Sequence, residues 1–377
     1  MEINVLHVYK TCIPYTQGGI EEVIQQLCRA TTKLGLNNKV VCISDKCQKK
    51  EIIVTPNAMI YCYPMSFEIA SCGFSYYLWK EFKHLSEWAD IIHYQFPWPF
   101  ADILALTRQH DFKPYIVSYQ SDIIRQNILN KLYLPLMNNF LARAAAVVAT
   151  SQKYIASSTV LSNLKQPAIF IPNGIDNELN DASYEKERKE YENIYGRNFF
   201  LFLGVFRYYK GLNYLLEAAQ QTGLDLVIAG EGPEAKALHQ YVQEHSLTNV
   251  YFLGYVSELQ KHALIEIATA LILPSSERSE AYGMVLLEAA RQSTPMISTE
   301  LESGTSYINA HNETGLVVTP KNSTELAAAM RYMADNEETV KLMSESAKNR
   351  FDKHFTGEIM GKCYTDLYHS VLVEIEL

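Results

Sequence analysis

An α/β protein built as two doubly wound sheets is what the sequence predicts, on three observations. Apolar runs of strand length alternate with longer stretches of helical periodicity, in two successive series. At 377 residues the chain is long for a single core. Between the two series the composition shifts to a charged segment, Asn177–Asn198, which includes Glu185-Lys-Glu-Arg-Lys-Glu190.

The first series opens with Ile3–Tyr9 as a strand and a loop over Thr11–Gly19. An amphipathic helix follows, with Ile20, Val23, Ile24 and Leu27 on one face. Gly18-Gly19 at this strand-to-helix turn reads either as a tight turn or as a place where a diphosphate or sugar passes close to the backbone. Lys39–Ser44 is a second strand, Ile52–Tyr63 gives further short strands, and Tyr76–Trp88 is a helix. Asp90–Phe96 is a buried strand running into Pro97-Trp98-Pro99. Ligands of open α/β sheets lie beyond the carboxyl ends of strands, so His93 and Trp98 are candidate acceptor contacts or packed core residues. Tyr115–Tyr119 ends in Gln120-Ser121-Asp122. Ile123–Ala146, with Arg125, Lys131 and Arg143 among large apolar residues, suits either an anionic membrane surface or ordinary packing on the sheet. Ala144–Thr150 and Ala168–Pro172 complete the series.

The second series starts with Phe199–Val205, which leads through Gly204 to Arg207-Tyr-Tyr-Lys210-Gly211 and a helix from Leu212 to Gln221. Two cations just past a strand end fit a departing diphosphate, or are solvated at a turn. Strands at Leu224–Ala229 and Val250–Leu253 end in Gly230-Glu231-Gly232 and Gly254-Tyr255-Val256, loops able to wall a nucleobase with backbone groups. The full G-x-G-x-x-G of dinucleotide enzymes is missing, which disfavours a dehydrogenase. Leu271–Pro274 then precedes Ser279-Glu-Ala-Tyr-Gly-Met-Val-Leu-Leu-Glu288, with a helix starting near Tyr282–Gly283. Helix N-termini carry unpaired N–H groups and suit a phosphate, here at Gly283, Met284 and Val285. Glu280 before that anion site and Glu288 behind it read as holders of hydroxyls on either side of a diphosphate. They read equally as a dipole partner and a solvated helix residue. Pro295–Ser298, Gly315–Val318 and helices from Ser323 onward close the chain.

Composition narrows the classes. With 48% hydrophobic and 20% charged residues the chain is ordinary globular material, and a net charge of −9 argues against nucleic-acid binding. No stretch reaches the ~18 apolar residues of a membrane span, and the first eight residues read as a strand rather than a signal peptide. The seven cysteines (Cys12, Cys28, Cys42, Cys47, Cys62, Cys72, Cys363) form no C-x-x-C pair, so reduced, mostly buried thiols in a cytoplasmic protein are expected, without zinc.

These residues together resemble the retaining glycosyltransferases of family GT4. The resemblance covers nearly the whole chain and is strongest at Gly204–Gly211 and at Arg278–Glu288, which matches the family's E-x7-E. Gly18-Gly19, Pro172-Asn-Gly174-Ile-Asp176, Gly230-Glu-Gly232-Pro233 and Glu313-Thr-Gly315-Leu match less extensively. Through Phe96-Pro-Trp-Pro, Ser121–Gln126 and Arg207–Gly211 the chain is most similar to bacterial O-antigen mannosyltransferases. The resemblance implies GT-B architecture, with Rossmann-like domains facing a central crevice. Residues 1–176 would bind the acceptor, 198–354 the donor, and 177–197 would connect them, with a terminal helix of about 355–377 packing back on the first domain. It implies transfer of a hexose, with GDP-mannose as the first choice of donor, to a lipid-linked or surface-glycan acceptor near the inner face of the membrane. Arg207 and Lys210 would bind the diphosphate, Glu280 the donor-sugar hydroxyls, Glu288 the ribose. Amides at Gly19 and at Gly283–Val285 would complete the contacts, with no metal or other cofactor. Asp122 and Arg125 are further acceptor candidates.

One position departs from the family. Gln120 stands where it commonly carries a histidine near the donor sugar. Glutamine donates a hydrogen bond but neither becomes cationic nor exchanges protons. A UDP- or dTDP-sugar transferase, and a sugar-nucleotide-binding protein weakened at Gln120, are the alternatives.

Overall fold

The structure is a computed structural model that describes residues 2–16, 18–109, 113–123, 127–177 and 184–376, with the backbone alone at 127–132 and 375–376. The chain forms two compact units, Met1–Asp176 with Gly357–Leu377, and Asn177–Thr356.

The first unit is built on β1 (Asn4–Val8), β2 (Asn37–Ser44), β3 (Glu51–Val54), β4 (Met59–Pro64), the hairpin β5 (Phe67–Ile69) and β6 (Cys72–Phe74), β7 (Ile91–Phe96), β8 (Tyr115–Tyr119), β9 (Ala146–Ala149) and β10 (Ile169–Phe170). Eight of these make one sheet in the order β10-β9-β8-β7-β1-β2-β4-β3. Every neighbouring pair is parallel except the edge pair β3–β4. Helices cover both faces, so β7 is buried at all six positions and reads as a continuous run without alternation. Fully burying a residue such as Leu6 or Phe82 stabilises by about 1.5–3 kcal/mol, and the sheet core is made of such residues. The terminal helix Gly357–Glu376 packs against Gly19–Lys33, where a Cβ at Gly361 would come within 2.6 Å of Ala30 Cβ. Only glycine permits that approach. The basic, apolar stretch after Asp122 forms helix Asn127–Arg143 and buries Met137, Phe140 and Leu141 in the sheet core, so at these positions it is a packed element.

The second unit contains β11 (Phe199–Leu203), β12 (Asp225–Ala229), β13 (Val250–Gly254), β14 (Ala270–Leu273), β15 (Met296–Thr299) and β16 (Gly315–Val318), all parallel in the order β13-β12-β11-β14-β15-β16. In each sheet the order reverses beside the first strand, at β1/β7 and at β11/β14. Such a switch point leaves a crevice at the carboxyl ends of the strands, because the flanking loops diverge to opposite faces.

The charged segment read as a connection at 177–197 needs correction. Glu185–Tyr195 is a helix of the second unit. Arg188 pairs with Glu185 and reaches Glu266 at 3.5 Å, while Tyr195 packs on Phe199 and Tyr251. Its run of charges is the solvated face of a packed helix.

Candidate active site

The β11/β14 switch point brings together two loops about seventy residues apart in sequence. Gly211, in the left-handed region at φ +69°, lies so close to the second loop that a Cβ would sit 2.1 Å from the Pro274 carbonyl oxygen. The backbones are locked further by Ser276 N–H donating to the Tyr209 carbonyl at 2.7 Å. This contact carries Lys210 to Glu280: Nζ to Oε2 is 2.5 Å, with Ser275 Oγ donating to the same oxygen at 3.0 Å. Both side chains are largely enclosed, 14% and 10% exposed. Burial works against the Lys210 charge, but the Glu280 carboxylate, with Tyr209, outweighs it and raises its pKa above the ordinary value. Lys210 is therefore a fixed cation. Arg207, three residues back, is exposed and forms no ion pair among the described residues.

Beyond Glu280 the chain passes Gly283, left-handed at φ +83°, and enters helix Met284–Arg291 with no side-chain cap. A Cβ on Gly283 would meet Leu273 at 2.8 Å, so glycine is needed for fit as well as conformation. Ser303 Oγ donates to the Glu280 carbonyl at 3.0 Å and Gly304 N–H to that of Ala281 at 2.8 Å, which pins the loop in front of the helix. The first-turn amides at Met284 and Val285 thus end a braced helix, an arrangement suited to an anion.

Glu288 is not a solvated helix residue. Its carboxylate lies 2.6 Å from Lys261 Nζ, which also pairs with Glu258 at 2.7 Å. Lys261 is enclosed, and the two carboxylates overcome its burial and raise its pKa. It sits on helix Glu258–Ile267, begun by the reciprocal Ser257–Gln260 capping box. Sequence reasoning missed it: the capping signal marks the helix, but nothing local aims Lys261 at Glu288.

At the ends of β11, β12 and β13 lies a cavity of ≈310 Å³ lined by Phe206, Glu231, Gly232, His239, Phe252 and Gly254 among others. Small-molecule sites span roughly 300–1,000 Å³. A Cβ on Gly230 would fall 2.0 Å from the Gly204 carbonyl, and one on Gly232 2.5 Å from that of Phe206. These glycines let neighbouring loops touch, and their first role is that close packing. The His239 and Phe252 rings, 4.1 Å apart and tilted by 43°, form an aromatic part of its wall that residue type and spacing did not reveal. Tyr255 is exposed and Val256 half-buried beside it. A larger cavity of ≈560 Å³ exists in the first unit, against Ala144–Val147. It lies at the amino end of β9, opposite to where α/β sheets bind ligands.

In the first unit, Gly18 is the N-cap position of helix Gly19–Lys33, in extended backbone. The loop before it is tied by Glu21, whose Oε1 accepts from Thr11 at 2.7 Å and from Thr16 at 3.1 Å. Gln120 closes β8, and its Nε2 donates to Gln95 Oε1 at 2.8 Å. The chain continues from Gln95 Nε2 to His93 Nε2 at 3.2 Å and from His93 Nδ1 to Tyr368 OH at 2.9 Å, with Ser118 linking His93 to Tyr364. This corrects the reading of His93 as an acceptor contact: it is completely buried and satisfied internally. Trp98 is 1% exposed, with Nε1 donating to the Gly73 carbonyl at 3.1 Å. Position along a strand suggested the ligand edge, but the face these side chains occupy is the core. Asp122 is half-buried, its Oδ1 accepting from Tyr119 at 2.9 Å and Ser158 at 2.7 Å. Arg125 lies outside the described residues.

Comparison with known proteins follows the division of the chain. Residues 17–179 match "Glycosyltransferase Family 4" and residues 183–350 match "Glycosyl transferases group 1". The chain is 40% identical to "O-antigen chain mannosyltransferase C" of Escherichia coli over 371 residues, 98% of this chain and 99% of that one. It is 39% identical to "D-rhamnosyltransferase WbpZ" of Pseudomonas aeruginosa, over 94% and 93% of the two chains. Among solved structures, sucrose-phosphate synthase from Thermosynechococcus elongatus superposes with a TM-score of 0.79 at 18% identity, covering 99% of this chain and 100% of that one. Anabaena Alr3699/HepE in complex with UDP-glucose superposes with a TM-score of 0.76 at 16% identity, covering 98% and 100%. The fold is that of GT-B enzymes, with two Rossmann-like domains.

Proposed function

Because this chain belongs to the family 4 glycosyltransferases, we propose that it moves a hexose, mannose from GDP-mannose, onto a hydroxyl of a lipid-linked or surface-glycan acceptor with retention at the anomeric carbon. The observation that carries the reading is the joining of Lys210 and Glu280 at the β11/β14 switch point, directly before the uncapped helix at Gly283. A fixed cation and a row of amides suit the charge that a nucleoside diphosphate gains on leaving. Arg207 adds a second cation at the rim. Glu280, already oriented by Lys210 and Ser275, holds donor-sugar hydroxyls. Glu288 holds the ribose, and the Phe206–His239–Phe252 cavity receives the base.

In this mechanism the bond from the anomeric carbon to the diphosphate oxygen breaks, and the acceptor oxygen bonds to that carbon on the same face. The departing diphosphate takes the acceptor proton. With cationic side chains and the helix N-terminus carrying the negative charge, the reaction needs no metal. Gln120, whose amide is held by Gln95, has only a neutral hydrogen bond to offer a ligand. The name of one relative, an O-antigen chain mannosyltransferase, supports a surface-polysaccharide acceptor; another is a D-rhamnosyltransferase. The second name favours a second reading, a deoxyhexose donor handled by the same machinery. Among the described residues no helix is long and apolar enough to cross a membrane.

A thermal-shift and calorimetric screen of GDP, UDP, dTDP and ADP, free and as sugars, tests the reading. Selective stabilisation by GDP, tighter for GDP-mannose, is expected. Preference for another nucleotide refutes the donor, and no stabilisation by any refutes the site.

A further inference from the structure

All seven cysteines belong to the first unit, and four of them stand in two sulfur–sulfur pairs that the transfer chemistry does not use. Cys12 lies on the loop after β1, Cys42 on β2, Cys62 opposite it in register on β4, and Cys47 just past β2. Cys12 Sγ is 2.6 Å from Cys42 Sγ, and Cys47 Sγ is 3.0 Å from Cys62 Sγ. All four are free thiols and at most 4% exposed. The partners are 30 and 15 residues apart in sequence, so the fold itself brings them into contact. Among the described residues no group of His, Cys, Asp and Glu is arranged to hold a metal ion. The reaction open to thiols at this separation is oxidation, since a disulfide needs its sulfurs at about 2.05 Å with little backbone movement.

We propose that Cys12–Cys42 and Cys47–Cys62 form a paired oxidation site, each pair closed to a disulfide by one molecule of hydrogen peroxide. A cavity of ≈340 Å³ has Cys12 in its wall together with Val40 and Ile60, which gives a small oxidant a route to the first pair. Cys28 lines the same cavity but has no cysteine sulfur within bonding reach among the described residues, so it is a control within the molecule. In the first step the Cys12 sulfur attacks a peroxide oxygen and the O–O bond breaks. The released hydroxide takes the thiol proton as water, leaving a sulfenic acid. The Cys42 sulfur then attacks the sulfenic sulfur, the S–O bond breaks, and the second hydroxide leaves as water with the Cys42 proton. Two thiols and one peroxide thus give one disulfide and two waters. The second pair, its sulfurs 3.0 Å apart, closes by the same two steps. The Cys12–Cys42 bond ties the Thr11–Gly19 loop, which carries the glycine pair, to β2.

The test is independent of the donor and the acceptor. The folded full-length protein is treated with hydrogen peroxide, remaining thiols are alkylated, and intact mass and linked peptides are measured. A loss of about 2 Da per bond, two bonds in all, is expected, linked 12–42 and 47–62 and reversed by dithiothreitol, with Cys28 and Cys363 still alkylated. Cys42→Ser should stop Cys12 at an oxygen adduct. Cys12→Ser, a loop change that keeps the variant set informative if Cys42→Ser does not fold, should lose the first bond and keep the second. Absence of the mass loss in the folded protein, a Cys42–Cys62 bond in place of the two, or scrambled linkages that include Cys28, overturns the proposal.

Discussion

Replacing Lys210 by alanine separates two consequences of one ion pair. The ammonium and the Glu280 carboxylate are 2.5 Å apart and both largely enclosed. Removing one partner of a buried pair costs about 3–5 kcal/mol, because the other charge is left uncompensated. Ser275 Oγ still donates to Glu280 at 3.0 Å, which places the expected loss at the lower end, about 3 kcal/mol. Transfer should suffer separately: losing one fixed donor of charge stabilisation costs about 10²–10³ in kcat. The double variant Lys210→Ala/Glu280→Gln leaves no orphan carboxylate, so it should recover most of the stability and none of the rate. Urea unfolding reads the first quantity, and single-turnover transfer from the donor sugar reads the second. A folded Lys210→Ala enzyme with kcat within about twofold of the parent would refute the leaving-group role, which predicts a loss of about 10²-fold or more. An unchanged unfolding midpoint would refute the argument from the buried pair.

Three further outcomes are expected. Glu288→Ala should weaken binding of the free nucleoside diphosphate about tenfold or more, as for one lost hydrogen-bonding group of about 1.5–3 kcal/mol; Lys261→Met should weaken it less, and calorimetry giving unchanged affinity for Glu288→Ala removes the ribose role. The pH dependence of stability follows from three buried groups of the first unit. Burial pushes His7 down to about 4 against its Asn38 hydrogen bond, and burial, with His7 adding, holds His93 well below 6.5, so both stabilise above pH 6.5 and lose this as pH falls. Burial pushes Asp102 up from 3.8 to about 8, against the Tyr133 hydrogen bond, so its stabilisation is full below pH 3.8 and is lost as pH rises through 8. At about 1.4 kcal/mol per pH unit for each group, the histidines prevail below pH 6.5 and Asp102 above it, so these groups set an optimum near the unperturbed histidine value of 6.5. Asp102→Asn should flatten the alkaline limb in scanning calorimetry; identical pH profiles would sink this assignment. Finally, Gly211→Ala puts a Cβ 2.1 Å from the Pro274 carbonyl at positive φ, so the loops must separate: a folded protein with an unaltered urea midpoint and activity would show that their contact is not needed.

Local order was legible because it is set by short-range chemistry. Apolar runs such as Phe199–Leu203, the helix Tyr76–Trp88, and the placing of Glu280 before and Glu288 within one helix all follow from residue type and spacing. The doubly wound class follows too, since parallel strands need helical crossovers. Which strands become neighbours is not local. That β11 lies between β12 and β14 decides that the Arg207–Lys210 loop meets Glu280, and nothing within either loop encodes the meeting. For the same reason Lys261 was missed and His93 and Trp98 stayed open between ligand edge and core: period and strand end locate a residue along an element, whereas its face and partner depend on what packs against it. The charged helix Glu185–Tyr195 looked like a connection because its solvated face dominates its composition, and only its contacts with Glu266, Phe199 and Tyr251 make it part of a domain. The sequence by itself determined the elements and the residue types that can handle a nucleoside diphosphate. Tertiary structure alone decided which of them stand together, because hydrogen-bonding and burial partners come from segments that only the crossovers bring into reach.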